Sequence, residues 1–179
     1  MVLPSEFFAR QSEEVARDLL GKLLVRKTSK NTRISGIISQ VDAFVSPKDD
    51  VKIGKRNQGA FYHAGMIHMY PSQGLYSLAI STLTKDIYNE VLIRMVIPFS
   101  GLEEMRTYRG AVEDSRLADG PSKIVKAFNI DADFDGVQIY DGAKAGLWIE
   151  EHLKDVRFGR DTVIKNPSSD FSARYTMRQ

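Results

Sequence analysis

The chain reads as a single α+β domain on three observations. Short β-branched runs bounded by turn residues recur between Leu23 and Val96. Helical patterns occur at only a few places, and no repeat, low-complexity tract or linker divides the 179 residues. A chain of this length buries roughly two-thirds of its unfolded surface, so one core suffices without a disulfide or metal staple.

Each element carries its own signal. Ser12, followed by Glu13 and Glu14, reads as an N-cap with acids in the first turn, and Val15, Ala16, Leu19 and Leu20 keep helical spacing until Gly21 stops it. Leu23, Leu24 and Val25 centre a strand over 22–27. After a polar turn at 28–32, the run 34–45 is a second strand closed by Ser46-Pro47, and the two make a hairpin. The charged stretch 48–59 is a loop. Strands over 66–70 and 75–81 flank the turn signal Pro71-Ser72-Gln73-Gly74, and a strand over 91–96 is ended by Pro98. Gly101 to Tyr108 begins a helix with Leu102, Met105 and Tyr108 inward and Arg106 and Arg109 outward. Pro121 stands at a first helical position ahead of Ile124, Val125, Ala127 and Phe128, and 137–175 gives short strands and loops.

Composition narrows the chemistry. The absence of cysteine excludes thiolate nucleophiles, cysteine-ligated zinc and Fe–S clusters and suits a reducing compartment. His63, His68 and His152 are scattered, so no metal is expected. The apolar stretches 36–41 and 91–99 are too short to span a bilayer, and the amino terminus lacks a signal-peptide pattern. A protein of the bacterial cytoplasm, without membrane contact, is expected. The net charge of +2 and pI near 8.8 permit nucleic-acid binding, provided that a local patch supplies the contacts.

The most informative stretch is Gln40-Val41-Asp42-Ala43-Phe44, a strand that carries a carboxylate and then an aromatic ring. Arg94, between Ile93 and Met95 in an apolar strand, needs a partner, and Asp42 is a natural one. Other motifs are Val15-Ala16-Arg17-Asp18-Leu19-Leu20-Gly21-Lys22, Asn57-Gln58-Gly59, Met69-Tyr70, Gly74-Leu75-Tyr76, Leu92-Ile93-Arg94, Gly101-Leu102 and Gly120-Pro121-Ser122-Lys123. In this order, from about Phe7 to Tyr175 and with one gap near 77–79, they resemble the alkyladenine (3-methyladenine) DNA glycosylase family.

The resemblance implies a compact domain with a curved, mostly antiparallel sheet or open barrel and flanking helices, acting without a cofactor and as a monomer on duplex DNA. The implied reaction is hydrolysis of the N-glycosidic bond of alkylated or deaminated purines after base flipping. Asp42 takes the place of the catalytic glutamate, and Arg94 that of an arginine holding the nucleophilic water. Phe44 and Tyr70 take the positions of the aromatics that line the base pocket, with Ile53 and Ala79 at two further pocket positions. Gln73 replaces the aromatic wedge, Gly74, Leu75 and Tyr76 follow it into the minor groove, and Ser122 and Lys123 meet phosphate at a helix start.

Several positions depart from the family pattern. Asp42 is one methylene shorter than glutamate, Phe44 lacks the tyrosine hydroxyl, Ile53 stands for a pocket histidine and Ala79 for an asparagine. Structural roles compete at each position: Asp42 as a strand-end turn residue, Arg94 in a structural ion pair, Phe44 and Tyr70 as core aromatics, Gln73 in a plain turn, Lys123 and the loop bearing Lys52, Lys55 and Arg56 as solvated surface. A histidine near strands is more often packed or exposed, so neither His63 nor His68 is assigned to the site. The competing function is a catalytically weakened or inactive lesion- or DNA-binding protein on the same fold. A small-nucleoside hydrolase or a protein-binding domain is a third reading.

Overall fold

Strand β2 (Arg33–Val45) organises the molecule. The computed structural model describes residues 1–45, 62–72, 74–83, 89–110, 112–161 and 171–178. The helices are α1 (Ser5–Phe8), α2 (Ser12–Leu19), α3 (Leu102–Arg109) and α4 (Pro121–Ala127). The other strands are β1 (Leu23–Lys27), β3 (Ile67–Ser72), β4 (Leu75–Ser81), β5 (Asn89–Ser100), β6 (Leu147–Glu150), β7 (Phe158–Asp161) and β8 (Phe171–Met177). Neighbouring strands follow the order β3-β4-β5-β2-β1-β6, antiparallel throughout, in a curled half-barrel. Along one edge β2 pairs with β5. Along the other, its first half pairs with β1 and its second half with β8, which β7 joins.

One face of this sheet holds the core. Ile34, Ile38, Val41 and Ala43 of β2, Val91, Ile93 and Val96 of β5, and Ala173 and Tyr175 of β8 are buried with Val15, Ala16 and Leu19 of α2, Ile124 and Val125 of α4, and Phe128 just after α4. Strict alternation would put Ile34 and Ile38 on the face opposite Val41 and Ala43. Two bulges reconcile them. Ile38 pairs with Val96, Gln40 with Met95 and Val41 with Ile93, so Ser39 is an extra residue on β2 and Arg94 an extra residue on β5. Both strands change phase together, and Gln40, Asp42 and Phe44 fall on the face away from the core.

The structure corrects two sequence expectations. Ser12 is not the N-cap of α2; Gln11 holds that position without a side-chain cap bond. The Ser12 hydroxyl instead donates to the Phe44 carbonyl at 3.0 Å, fastening the helix to the end of β2. Pro98 does not end β5, which runs on to Ser100, because Pro98 pairs with Gly36 beside a further register shift between Ser35 and Gly36. An irregularity is where a strand tolerates a residue without an amide proton. Gly36 also permits close approach, since a Cβ there would lie 2.3 Å from Val96 Cγ1 and 2.9 Å from the Ile97 carbonyl. Among the described residues, no helix is long and apolar enough to cross a membrane.

Candidate active site

Residues paired across an antiparallel ladder point to the same side. A row therefore crosses the non-core face from Arg174 (β8) through Asp42 (β2), Leu92 (β5) and Ala79 (β4) to His68 (β3). A second row joins Phe44, Glu90 and Ser81. Tyr70, opposite Ser77, lies two residues beyond His68 on the same face. Asp42, Arg94, Phe44, Tyr70 and Ala79, scattered through the sequence, thus share one surface.

Asp42 is its charged centre. The residue is 2% exposed. Arg174 approaches it as a fork, Nε donating to Oδ1 at 2.7 Å and Nη2 to Oδ2 at 2.9 Å, while Arg94 Nη1 donates to Oδ2 at 3.2 Å. A carboxylate offers about four lone-pair directions. Three are taken by these donors, and the fourth, on Oδ1, meets no described residue. Arg94 Nε also donates to Gln40 Oε1 at 3.3 Å, and Gln40 donates to Thr176 Oγ1 at 3.0 Å. The side chains around Asp42 are therefore held on three strands, and two guanidiniums surround one carboxylate.

A second buried polar group occupies this face. His68 Nδ1 lies 2.7 Å from Glu90 Oε2, with both side chains 3% exposed. The imidazole sits edge-on between Tyr70, with centroids 5.6 Å apart, and Tyr62, at 6.4 Å. Tyr62 donates its hydroxyl to Asp135 Oδ2 at 2.8 Å, and the Met69 amide donates to Asp135 Oδ1 at 2.9 Å. Burial, then the hydrogen bond and charge of Asp135, push the Tyr62 hydroxyl up to about 12.

The residues expected at DNA gather elsewhere. Gly74, Leu75 and Tyr76 from the β3–β4 hairpin tip face Ser122 and Lys123 of α4 across a cavity of about 560 Å³, with Arg109 and Lys126 on the same wall. Leu75 and Tyr76 project into solvent at 58% and 40% exposure. The left-handed φ of +77° at Gly74 suits this tight turn. Lys123 Nζ is 2.7 Å from Asp119 Oδ1, and this hydrogen bond, opposed by burial, holds the Asp119 carboxyl below the usual range. Arg109 Nε donates to the Leu117 carbonyl at 3.0 Å.

Sequence reasoning missed Arg174, Glu90 and declined His68. The alternation Ala173-Arg174-Tyr175 and the spacing of His68 and Tyr70 were signals of facing, but partnership required the register between strands. Ile53, Gln73, Lys52, Lys55 and Arg56 lie outside the described residues. No group of three His, Asp or Glu side chains suited to a metal ion occurs among the described ones.

The described residues thus hold a carboxylate between two arginines on a sheet face with aromatic side chains, and separately a groove lined with basic residues and edged by an exposed hairpin. The chain belongs to the methylpurine-DNA glycosylase family, whose model matches residues 6–168. It is 34% identical over 146 residues to a "Putative 3-methyladenine DNA glycosylase" of Chlorobium phaeobacteroides, covering 78% of this chain and 74% of that protein. A protein of the same name from Methanoculleus marisnigri is 35% identical over 147 residues, 79% of this chain and 76% of the relative. The human DNA-3-methyladenine glycosylase is 30% identical over 160 residues, 81% of this chain and 53% of its own length.

Proposed function

We propose that this protein is a DNA base-excision glycosylase that hydrolyses the N-glycosidic bond of alkylated or deaminated purines flipped out of duplex DNA. The observation that carries the reading is the Asp42 carboxylate, bonded to Arg94 and set on the same sheet face as Phe44 and Tyr70. Family membership supports the reaction class.

In this reading the C1′–N9 bond breaks with its electron pair passing to the base, and the sugar develops positive charge. Asp42 stabilises that charge, and the open direction on Oδ1 receives the attacking water and its proton. Arg94 fixes the carboxylate and the water. Arg174 adds a second positive charge, so it opposes the cationic sugar while keeping the short aspartate in place. Phe44 and Tyr70 stack on the base, with Ala79 and Ile53 shaping the pocket. Gln73 fills the vacated stack. Gly74, Leu75 and Tyr76 enter the minor groove, and Ser122 and Lys123 hold phosphate along the groove they line. One chain carries both pocket and groove, consistent with a monomer acting in the cytoplasm.

Single-turnover release of methylated purines, hypoxanthine and ethenoadenine from duplex DNA tests this. Release by wild type that falls about 100-fold or more in Asp42→Asn supports the assignment. Lesion binding by wild type without release of any base would replace it with the inactive lesion-binding reading. Undiminished release by Asp42→Asn would remove Asp42 from the chemistry.

A further inference from the structure

Strand β8 carries a feature beyond Arg174 that the reaction as described does not use. Arg174 and Thr176 point to the non-core face, where Arg174 forks onto Asp42 and Thr176 accepts from Gln40 at 3.0 Å. Side chains two residues apart along a strand share a face, so Arg178 continues this row about 13 Å from Arg174. Its guanidinium lies against Gly159 of β7, the residue paired with Thr176. A Cβ on Gly159 would stand 2.6 Å from Arg178 Nε and 2.9 Å from Nη2, so the missing side chain is what lets the planar group lie down.

A second arginine stands beside it. The pairing of β7 with β8 runs one step past Phe158 and Met177, because the Arg178 amide donates to the Arg157 carbonyl at 2.8 Å. Arg157 and Arg178 are therefore opposite each other on one side of the ladder, and both are exposed. Like charges in that relation repel. Neither guanidinium forms a hydrogen bond or ion pair with a described residue. The acids of this face stand elsewhere: Asp42 is held by Arg174 and Arg94, and Asp161 is in register with Arg174 rather than Arg178. An anion seated between the two arginines turns their repulsion into attraction, and a guanidinium laid flat on glycine presents its fork ready for a phosphate.

The place of this shelf in the sheet indicates which phosphate it takes. Strands β3, β4, β5, β2, β8 and β7 follow one another across the sheet, so Asp42 lies between the β3–β4 hairpin with its groove and the arginines at the opposite edge. A DNA strand that brings a sugar to Asp42 passes Arg178 within about four stacked nucleotides, at roughly 3.4 Å of rise each. Resting on the glycosylase reading, we infer that Arg178, laid on Gly159, and Arg157 form a second binding site for the phosphodiester backbone of the damaged strand, on the side of Asp42 away from the hairpin. Ser122 and Lys123 hold the duplex at one edge. The arginine shelf holds the strand at the other, so the sugar is fixed over the carboxylate from both sides.

The test is duplex binding at several salt concentrations, with single phosphates of the lesion strand replaced in turn by neutral methylphosphonates. Arg178→Gln should weaken binding about tenfold at low salt and lower the salt slope of log K by about one, and Arg157→Gln should lower the slope likewise. Lys144→Gln, which removes an exposed cation outside both surfaces, should leave the slope unchanged. Gly159→Ala keeps every charge but pushes Arg178 off its seat, so it should weaken binding about threefold. Should that variant fail to fold, the methylphosphonate scan decides: one substitution should weaken binding by wild type about tenfold and leave Arg178→Gln unaffected. An unchanged slope in Arg178→Gln, or equal effects of every methylphosphonate on the two proteins, would overturn the inference. So would inorganic phosphate bound by wild type and lost by Arg178→Gln while duplex binding stays equal, because the shelf would then take a free anion. Duplex binding that depends on Arg178 without release of any base would count against the glycosylase reading and leave the shelf in place; base release with binding indifferent to Arg178 would do the reverse.

Discussion

The Asp42–Arg174 fork allows a thermodynamic test that does not depend on turnover. The perturbation is a double-mutant cycle of wild type, Asp42→Asn, Arg174→Gln and the double variant. Two charge-assisted bonds at 2.7 and 2.9 Å converge on a side chain that is 3% exposed, whereas the arginine is 33% exposed. Breaking a fully buried pair costs about 3–5 kcal/mol. Here Arg174 and Arg94 can turn partly to water, and asparagine retains one acceptor, so Asp42→Asn should cost about 3 kcal/mol, with about 2 kcal/mol of it as coupling to Arg174. In a chain of 179 residues this lowers Tm by roughly 6–12 °C for Asp42→Asn. Urea and thermal unfolding of the four proteins give the coupling directly. Coupling under about 0.5 kcal/mol, or an Asp42→Asn protein as stable as wild type, would show that the fork holds nothing together.

Other expectations follow from the groove and the sheet. Lys123→Ala should weaken binding to any duplex and reduce the salt dependence of log K by about one charge, read by titration at several salt concentrations. The same change should raise the Asp119 carboxyl towards its ordinary range in an NMR titration. Because the folded-state value is depressed, the stabilisation that this pair contributes is present above the unfolded value and lost as pH falls through the folded one. For Tyr62, raised to about 12, the contribution is full below the ordinary tyrosine value and lost as pH rises through about 12. Asp135→Asn should remove the hydrogen-bond and charge part of that rise and leave the burial part, seen as earlier phenolate absorbance; an unchanged curve would refute the pairing. Gly36→Ala should cost about 1–3 kcal/mol by crowding Val96 and the Ile97 carbonyl, measured by urea unfolding.

What the sequence revealed depended on the range of the interaction. Helix α2 was legible because Val15, Ala16 and Leu19 carry their facing in their own spacing, and the β3–β4 hairpin because Gly74 marks its turn. The Asp42–Arg94 partnership was legible because a cation in an apolar strand demands one. Arg174 was not, since nothing local says that β8 lies beside the second half of β2 rather than β1. The His68–Glu90 bond depends likewise on the register of three strands, and a histidine in a strand looks the same whether packed or poised. Ser12 was misread because a hydroxyl before two acids signals a cap, while here a tertiary acceptor, the Phe44 carbonyl, takes that hydroxyl.

The extra residues at Ser39 and Arg94 make the site depend on counting as well as on chemistry. They act like paired insertions in a reading frame. Removing Ser39 alone would turn Asp42 and Phe44 towards Val15 and Leu19 and bring Val41 and Ala43 to the face that holds Arg94 and Arg174. Removing the extra place on β5 alone would shift Val91 and Ile93 against their partners. The two strands can therefore gain or lose length here only together, and an alignment that places a gap in one without the other will exchange pocket and core.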